Sequence, residues 1–338
     1  MSTPRTYFAR LAPSQPTPAC PRLLDLPRRH ADGESAQVRF MLRVRCVLAL
    51  LGDRASLRLN GDRHRDATDR VCRPAGCCTC TFHQLLASRR MASIQISEER
   101  GVRYLHFGSR WVQGAMRMSR PDHLELEYTR EMLLPLLLRA DASWPQRTLL
   151  VGLGAGSLVK FLYRHRPHTA ITVVEVRQDV VNAAGQFFKL PDNPARLTIE
   201  LDDGASHVAS RGQGYDFVLV DGYDAKGRVG ALDTPAFYRH CRARMRDDAM
   251  LATNLLARHR GVDASVSRMR DAFGGRAFAL PACASGNVIA LAARGGPVDM
   301  SSALLAARAT ALRNETGLNL TPTVTRLARA PLQVSDCW

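Results

Sequence analysis

The sequence predicts an α/β fold, a largely parallel, doubly wound sheet preceded by a small β-domain. Three observations predict it. Between residues 147 and 274, short apolar runs alternate with amphipathic segments, the pattern of strands joined by crossover helices. Ahead of them, residues 91–117 alternate apolar and polar side chains, as a small sheet does. Finally, glycine-rich or acidic turns follow four successive apolar runs, at the carboxyl ends of strands where such sheets bind ligands.

The elements follow in order. ASIQIS, RYLHFG and SRWVQGAM read as two or three short strands. HLELEYTREMLLPLLLR (123–139) has apolar residues at helical spacing and predicts one helix, Pro135 notwithstanding. RTLLVG is then a strand, GAGSLVKFLYRH opens a helix, AITVVEV is a strand and RQDVVNAAGQFF a helix. ARLTIEL and YDFVLVD are strands, TPAFYRHCRARM a helix, AMLATNLL a strand and DASVSRMRDAFG a helix. RAFALP and GNVIALAAR close the sheet as a hairpin, and SSALLAARATALR is a closing helix. The expected organisation is a leader over 1–90, a small β-domain and linking helix over 91–145, a catalytic domain over 146–298, and a C-terminal helix and tail over 299–338.

The leader differs from the rest. The chain carries a formal net charge of +16. Residues 1–90 supply more than half of it, with 16 Arg, no Lys and 7 acids. They hold six of nine cysteines and no sustained period of 2 or 3.6. CRPAGCCTCTFH (72–83) offers thiols and His83, but one crowded cluster without a second knuckle is poor zinc-site spacing, so no metal is expected. The texture changes at Met91. The expectation is a disordered or non-native leader, with Met91 as the biological start. A net positive charge concentrated in that segment is a weak argument for nucleic acid. No run is long and apolar enough to span a membrane, no secretory signal is evident, and the three cysteines beyond residue 90 fit a reducing compartment; a cytoplasmic protein is expected.

The strand ends carry the chemistry. VGLGAGS places Gly152, Gly154 and Gly156 where the chain must turn sharply and a ligand approaches backbone before a helix N-terminus. Glu175 ends the next strand, 23 residues after Gly152, and an acid there can accept both hydroxyls of an adenosine ribose. LDDGAS follows the third strand; Asp203, with Gly204 behind it, can accept from an adenine amino group, although DDG is also turn chemistry. The fourth strand ends in Asp221 and Asp224. Together they describe an adenosine pocket without the phosphate requirement of a dinucleotide, and the third glycine comes one residue early for GxGxxG. S-adenosylmethionine or a relative is favoured over NAD.

These residues resemble the spermidine synthase (polyamine aminopropyltransferase) family over roughly 95–295. WVQGAM with Gln113, EYTREM with Tyr128, VGLGAGS, VVEV, DDG, VDGYDAKG and LDTPAFY stand in the family's order. The resemblance implies a methyltransferase-like Rossmann domain behind a small β-domain, decarboxylated S-adenosylmethionine as co-substrate, no prosthetic group, an amine acceptor such as putrescine, and a homodimer or tetramer. It places the ribose-binding acid on Glu175 and the adenine-contacting aspartate on Asp203. The chain departs from the pattern at Ala155, where the family's glycine loop has an aspartate that holds the aminopropyl amine, and at Thr129, where the family has histidine after tyrosine.

Two carboxylates at one strand mouth suit aminopropyl transfer. The acceptor amine is mostly protonated at neutral pH and cannot attack until it loses a proton. Asp221 is expected to orient the amine and take its proton, with Asp224 assisting, since paired acids tune one another. Tyr128 and Tyr223 would pack on the acceptor and Gln113 would contact either substrate. The structural alternatives are that Asp221 caps the strand-to-loop turn, that Asp224 pairs with Lys226 or Arg228, and that Tyr128 is a core residue. The competing functions are methyl transfer from S-adenosylmethionine to an unknown acceptor and non-catalytic nucleoside or nucleic-acid binding.

Overall fold

The computed structural model describes residues 5–7 and 93–330, apart from 140, 211, 213, 225, 226 and 257–260. These residues fall in one of two units of the chain, residues 1–11 with 90–338. The expected leader, its cysteine cluster and His83 therefore lie outside the described residues except for 5–7.

The small sheet has the order β1 (Arg5–Tyr7), β2 (Ile94–Glu99), β3 (Val102–Phe107), β4 (Val112–Arg117), all antiparallel. The large sheet holds β5 (Arg147–Val151), β6 (Ala170–Glu175), β7 (Leu197–Leu201), β8 (Tyr215–Val220), β9 (Met245–Leu256), β10 (Ala277–Ala279) and β11 (Asn287–Ala293). Its order is β10-β11-β9-β8-β5-β6-β7, parallel from β9 to β7 and antiparallel through β11 and β10. The chain thus leaves β5 towards β6 and β7, then returns across to β8. That reversal makes a crevice between the carboxyl ends of β5 and β8.

Strand alternation divides the core in two. Leu150, Phe217 and Leu219 face one apolar layer, while Leu149, Val151, Val218 and Val220 face the other. The first is covered by α1 (Glu127–Glu131), α2 (Pro135–Leu138), α3 (Ser157–His165), α4 (Gln178–Phe187), α8 (Ser302–Thr316) and α9 (Thr321–Arg329). The second lies under α5 (Gly204–Ala209), α6 (Pro235–Arg244) and α7 (Val262–Phe273). With both faces covered, β8 is buried throughout, which is why YDFVLV reads as an apolar run rather than an alternation. Cys241 is a fully buried part of this layer, and burial pushes its thiol pKa up.

One expectation needs correction, and two helices were not anticipated. The single helix over 123–139 is two short ones, because Pro135 has no N–H to continue the first and instead opens the second at its N-terminal position. The DDG turn starts a helix, α5, capped by Asp203, whose Oδ1 accepts from the Ser206 N–H at 2.9 Å. The C-terminal tail also contains α9. Its Arg326 donates to the fully buried Glu131 of α1, and Thr323 reaches the same oxygen at 3.2 Å. Arg326 also lies 3.4 Å from Glu127.

Lys160 of α3 is 4% exposed and donates to the Phe188 carbonyl at 2.7 Å. Burial lowers its pKa from 10.5 to about 7. The unfolded chain therefore holds a proton between those values that the folded chain has lost, so this group adds stability as pH rises from 7 towards 10.5. Substitution Lys160→Met should remove about 1 kcal/mol or more of that rise. Chemical denaturation of both proteins at pH 7 and pH 9.5 measures the difference.

Candidate active site

At the crevice, backbone geometry comes first. Gly152 follows β5 with φ +97°, and a Cβ there would stand 2.3 Å from the Asp221 carbonyl oxygen. The Gly152 N–H bonds to Val174 of β6 and the Asp221 N–H to Val151 of β5, each at 2.9 Å. The glycine turn is thereby stitched between the strands on both sides. Gly156 is the N-terminal cap position of α3. Gly154 faces the Gln113 carbonyl of β4, and Ala155 packs on Gly114. The small sheet therefore touches the glycine turn directly. The Gln113 side chain makes no hydrogen bond among the described residues.

Glu175, 8% exposed, ends β6. One of its oxygens accepts from the Leu153 N–H and the other from the Arg177 N–H, each at 2.9 Å. Burial raises its pKa, and these backbone donors oppose the rise. Each oxygen retains a second lone pair for a ligand hydroxyl. At the end of β7, Asp203 is exposed and uses one oxygen as the α5 cap. Gly204 is buried against Val151 and Leu232. Leu232 also packs over Gly222, so the turn at Gly230–Asp233 is seated between the ends of β7 and β8.

Asp221 is the centre of a polar network. Its Oδ2 accepts from the Tyr128 hydroxyl at 3.1 Å, and its Oδ1 from Asn254 Nδ2 at 2.8 Å. Asn254 in turn accepts from Asn287 Nδ2 at 2.9 Å, and its carbonyl accepts from the Tyr223 hydroxyl at 2.6 Å. Burial raises the Asp221 pKa and the two hydrogen bonds oppose it. The Tyr128 pKa is raised by burial and by the Asp221 charge, so the phenol keeps its proton and remains a donor.

Asp224 is held differently. Its carboxylate accepts from Arg228 Nε at 2.8 Å and from the Arg228 backbone N–H at 2.9 Å, which closes the loop after β8. The described contacts thus give the two aspartates separate partners, and the Arg228 pairing was one alternative legible in the sequence.

The structure brings together Gly152, Gly154, Gln113, Glu175, Tyr128, Asp221 and Tyr223 by direct contact or through one intervening residue. Asp203 and Gly204 sit at the neighbouring strand end. Sequence reasoning missed Asn254 and Asn287. The available signal was a lone asparagine inside each of two apolar strands, AMLATNLL and GNVIALAAR, which pair in register through β9 and β11. Among the described residues no group of three potential metal ligands occurs, and no helix is long and apolar enough to cross a membrane.

Residues 127–265 match the family model described as the spermine/spermidine synthase domain. The chain is 32% identical over 249 residues to the polyamine aminopropyltransferase of Chromobacterium violaceum, covering 74% of this chain and 94% of that one. It is 34% identical over 226 residues to the polyamine aminopropyltransferase of Neisseria meningitidis serogroup A, covering 67% and 85%. Among solved structures, a probable spermidine synthase from Corynebacterium glutamicum superposes with a TM-score of 0.56 at 18% identity, covering 72% and 96%. A spermidine synthase in complex with the transition state analogue AdoDATO gives 0.54 at 21%, covering 71% and 83%. At such identities the structural likeness speaks for the fold, and the methyltransferase-like Rossmann architecture expected from the sequence is the one found.

The Gly152 contact yields a direct test. Gly152→Ala should cost about 2 kcal/mol or more, since it adds left-handed backbone strain to a clash with a carbonyl that cannot swing aside. Gly185→Ala, in α4 with nothing within 4 Å, should instead stabilise by ~0.5–1 kcal/mol. Urea titrations of both variants measure the contrast.

Proposed function

The chain belongs to the spermidine synthase (polyamine aminopropyltransferase) family, and from that premise we propose that it moves an aminopropyl group from decarboxylated S-adenosylmethionine to a primary amine such as putrescine. The observation that carries this reading is Asp221, a carboxylate pinned by Tyr128 and Asn254 beside the glycine turn. In the reaction the amine nitrogen uses its lone pair to attack the donor carbon next to the sulfonium. The C–S bond breaks, its electrons stay on sulfur as a neutral thioether, and the amine proton must leave.

Asp221 is suited to attract the ammonium form, fix its direction and receive that proton. A pKa raised by burial makes it a better acceptor than an exposed aspartate, and its two fixed hydrogen bonds keep it from turning away. Tyr128 and Tyr223 flank the same carboxylate network and would pack on the acceptor chain. On the donor side, Glu175 would take the ribose hydroxyls with its remaining lone pairs, and Asp203 the adenine amino group with its uncommitted oxygen. The glycine turn gives the donor access to backbone, and Gln113 borders it from the small sheet. Asp224 would act by holding the loop through Arg228 rather than by touching the amine.

One observation favours a second reading, methyl transfer from intact S-adenosylmethionine. Ala155 is buried against Gly114 and offers no charge to the amino end of a decarboxylated donor.

Calorimetry with both donors, with and without putrescine, separates the two. Preference for the decarboxylated donor, strengthened by putrescine, is expected; preference for intact S-adenosylmethionine would move the assignment to methyl transfer. Asp221→Asn should leave donor binding nearly intact and lower turnover by about two or more orders of magnitude. An unchanged rate would remove Asp221 from the chemistry.

A further inference from the structure

A cavity of about 400 Å³ lies away from the crevice, within the size range of small-molecule sites. It is bounded by the turn at residues 120–124, the last turns of α3, and the corner between α8 and α9. Its floor is apolar: Leu124, Phe161 and Leu318 are all buried.

The walls are mainly basic. Arg130 is fixed by Nη1 bonds to the Leu124 and Glu125 carbonyls at 2.9 and 3.0 Å. Arg120 is exposed, and its guanidinium has no partner among the described residues. Asp122, His123, His165, Thr316 and Asn319 complete the polar lining. α9 meets the cavity through Pro322, which has no N–H, and the Thr321 N–H beside it is taken by Asn319 Oδ1 at 3.2 Å. Asp122 lies 3.7 Å from His165 and 4.0 Å from Arg164, beyond hydrogen-bond reach of both, while Glu125 is bound by Arg117. At the C-terminal end of α8, which also borders the cavity, the Leu312 and Arg313 carbonyls are bonded by the Thr316 hydroxyl and the Gly317 N–H.

One group points to a missing partner. His123 Nδ1 is buried without a hydrogen bond, and the Glu125 carboxylate at 3.7 Å is out of reach. Both imidazoles have lowered pKa values: burial is the main cause, Arg120 and Arg130 add to it at His123, and Arg164 and Arg166 at His165. Glu125 opposes the shift at His123, as Asp122 and Glu315 do at His165.

We propose that this cavity is a second binding site, for a small organic anion with an apolar body, distinct from the reacting centre. The apolar body would lie on Phe161 and Leu318, and the anionic group would face Arg120, Arg130 and the His123 ring. The separation from the crevice follows from α3 itself: the glycine turn meets its first turn and the cavity its last, and nine helical residues span ~13 Å. The inference does not depend on the aminopropyl-transfer reading.

The test uses the full chain with four probes of one shape: phenyl phosphate, benzoate, benzyl alcohol and benzylamine. Binding is read by calorimetry and by the NMR titration of the histidine rings. The two anions are expected to bind, to raise the pKa of His123 and His165, and to lose about tenfold or more in affinity in Arg120→Glu, whose unliganded Tm should equal that of the parent. Absence of anion binding would overturn the proposal. So would equal affinity for benzyl alcohol or benzylamine, histidine titrations that do not move, or undiminished anion binding to the variant.

Discussion

The whole site rests on one close approach of main chain to main chain. β5 and β8 are parallel neighbours whose ends would splay apart if residue 152 carried a side chain, because the Asp221 carbonyl occupies the place of its Cβ. With glycine there, the turn folds across the end of β8 and the first N–H groups of α3 come to the crevice. The same contact fixes where Asp221 emerges. The glycine turn and the Asp221 carboxylate are thus positioned by a single constraint.

Upon that frame the polar groups divide their capacity. Glu175 commits one lone pair per oxygen to backbone and Asp203 commits one oxygen to its helix, so both are oriented before any ligand arrives. Asp221 is oriented by side chains instead, and those come from far along the chain: Tyr128 from the linking helix, Asn254 from β9, and behind it Asn287 from β11. Fixed hydrogen bonds and burial act on its pKa in opposite senses. Under the aminopropyl-transfer proposal, a carboxylate so placed would attract an ammonium and receive its proton.

Much of this was legible in the sequence for a plain reason. Parallel strands with both faces covered are apolar runs, and their carboxyl ends are marked by glycine and acids, so VGLGAGS, Glu175, Asp203 and Asp221 announce themselves locally. The role of Asn254 and Asn287 depends on β9 and β11 pairing, a long-range fact that neither strand encodes alone. Two short helices in place of one over 123–139 followed from Pro135, whose effect on the backbone outweighed the helical spacing of the leucines around it. The helix α9 was missed because its apolar face, with Val324 and Leu327, covers a stretch too short to establish a period. The partner of Asp224 was ambiguous because Lys226 and Arg228, two and four residues further on, each offer a cation.

The buried link from Glu131 to Arg326 has a bearing on how the molecule is made. Glu131 lies one helical turn beyond Tyr128, and its charge is neutralised by a residue 195 positions later in the chain. A carboxylate sealed in the interior without its cation is costly, so α1 has little reason to settle until α9 is at hand. During synthesis the strands of the large sheet emerge in sequence and can begin to associate, but the helix that presents Tyr128 must wait for nearly the last described segment. The glycine turn and the strands beside it precede α9 in the chain, whereas the tyrosine bonded to Asp221 sits on a helix whose buried acid needs α9.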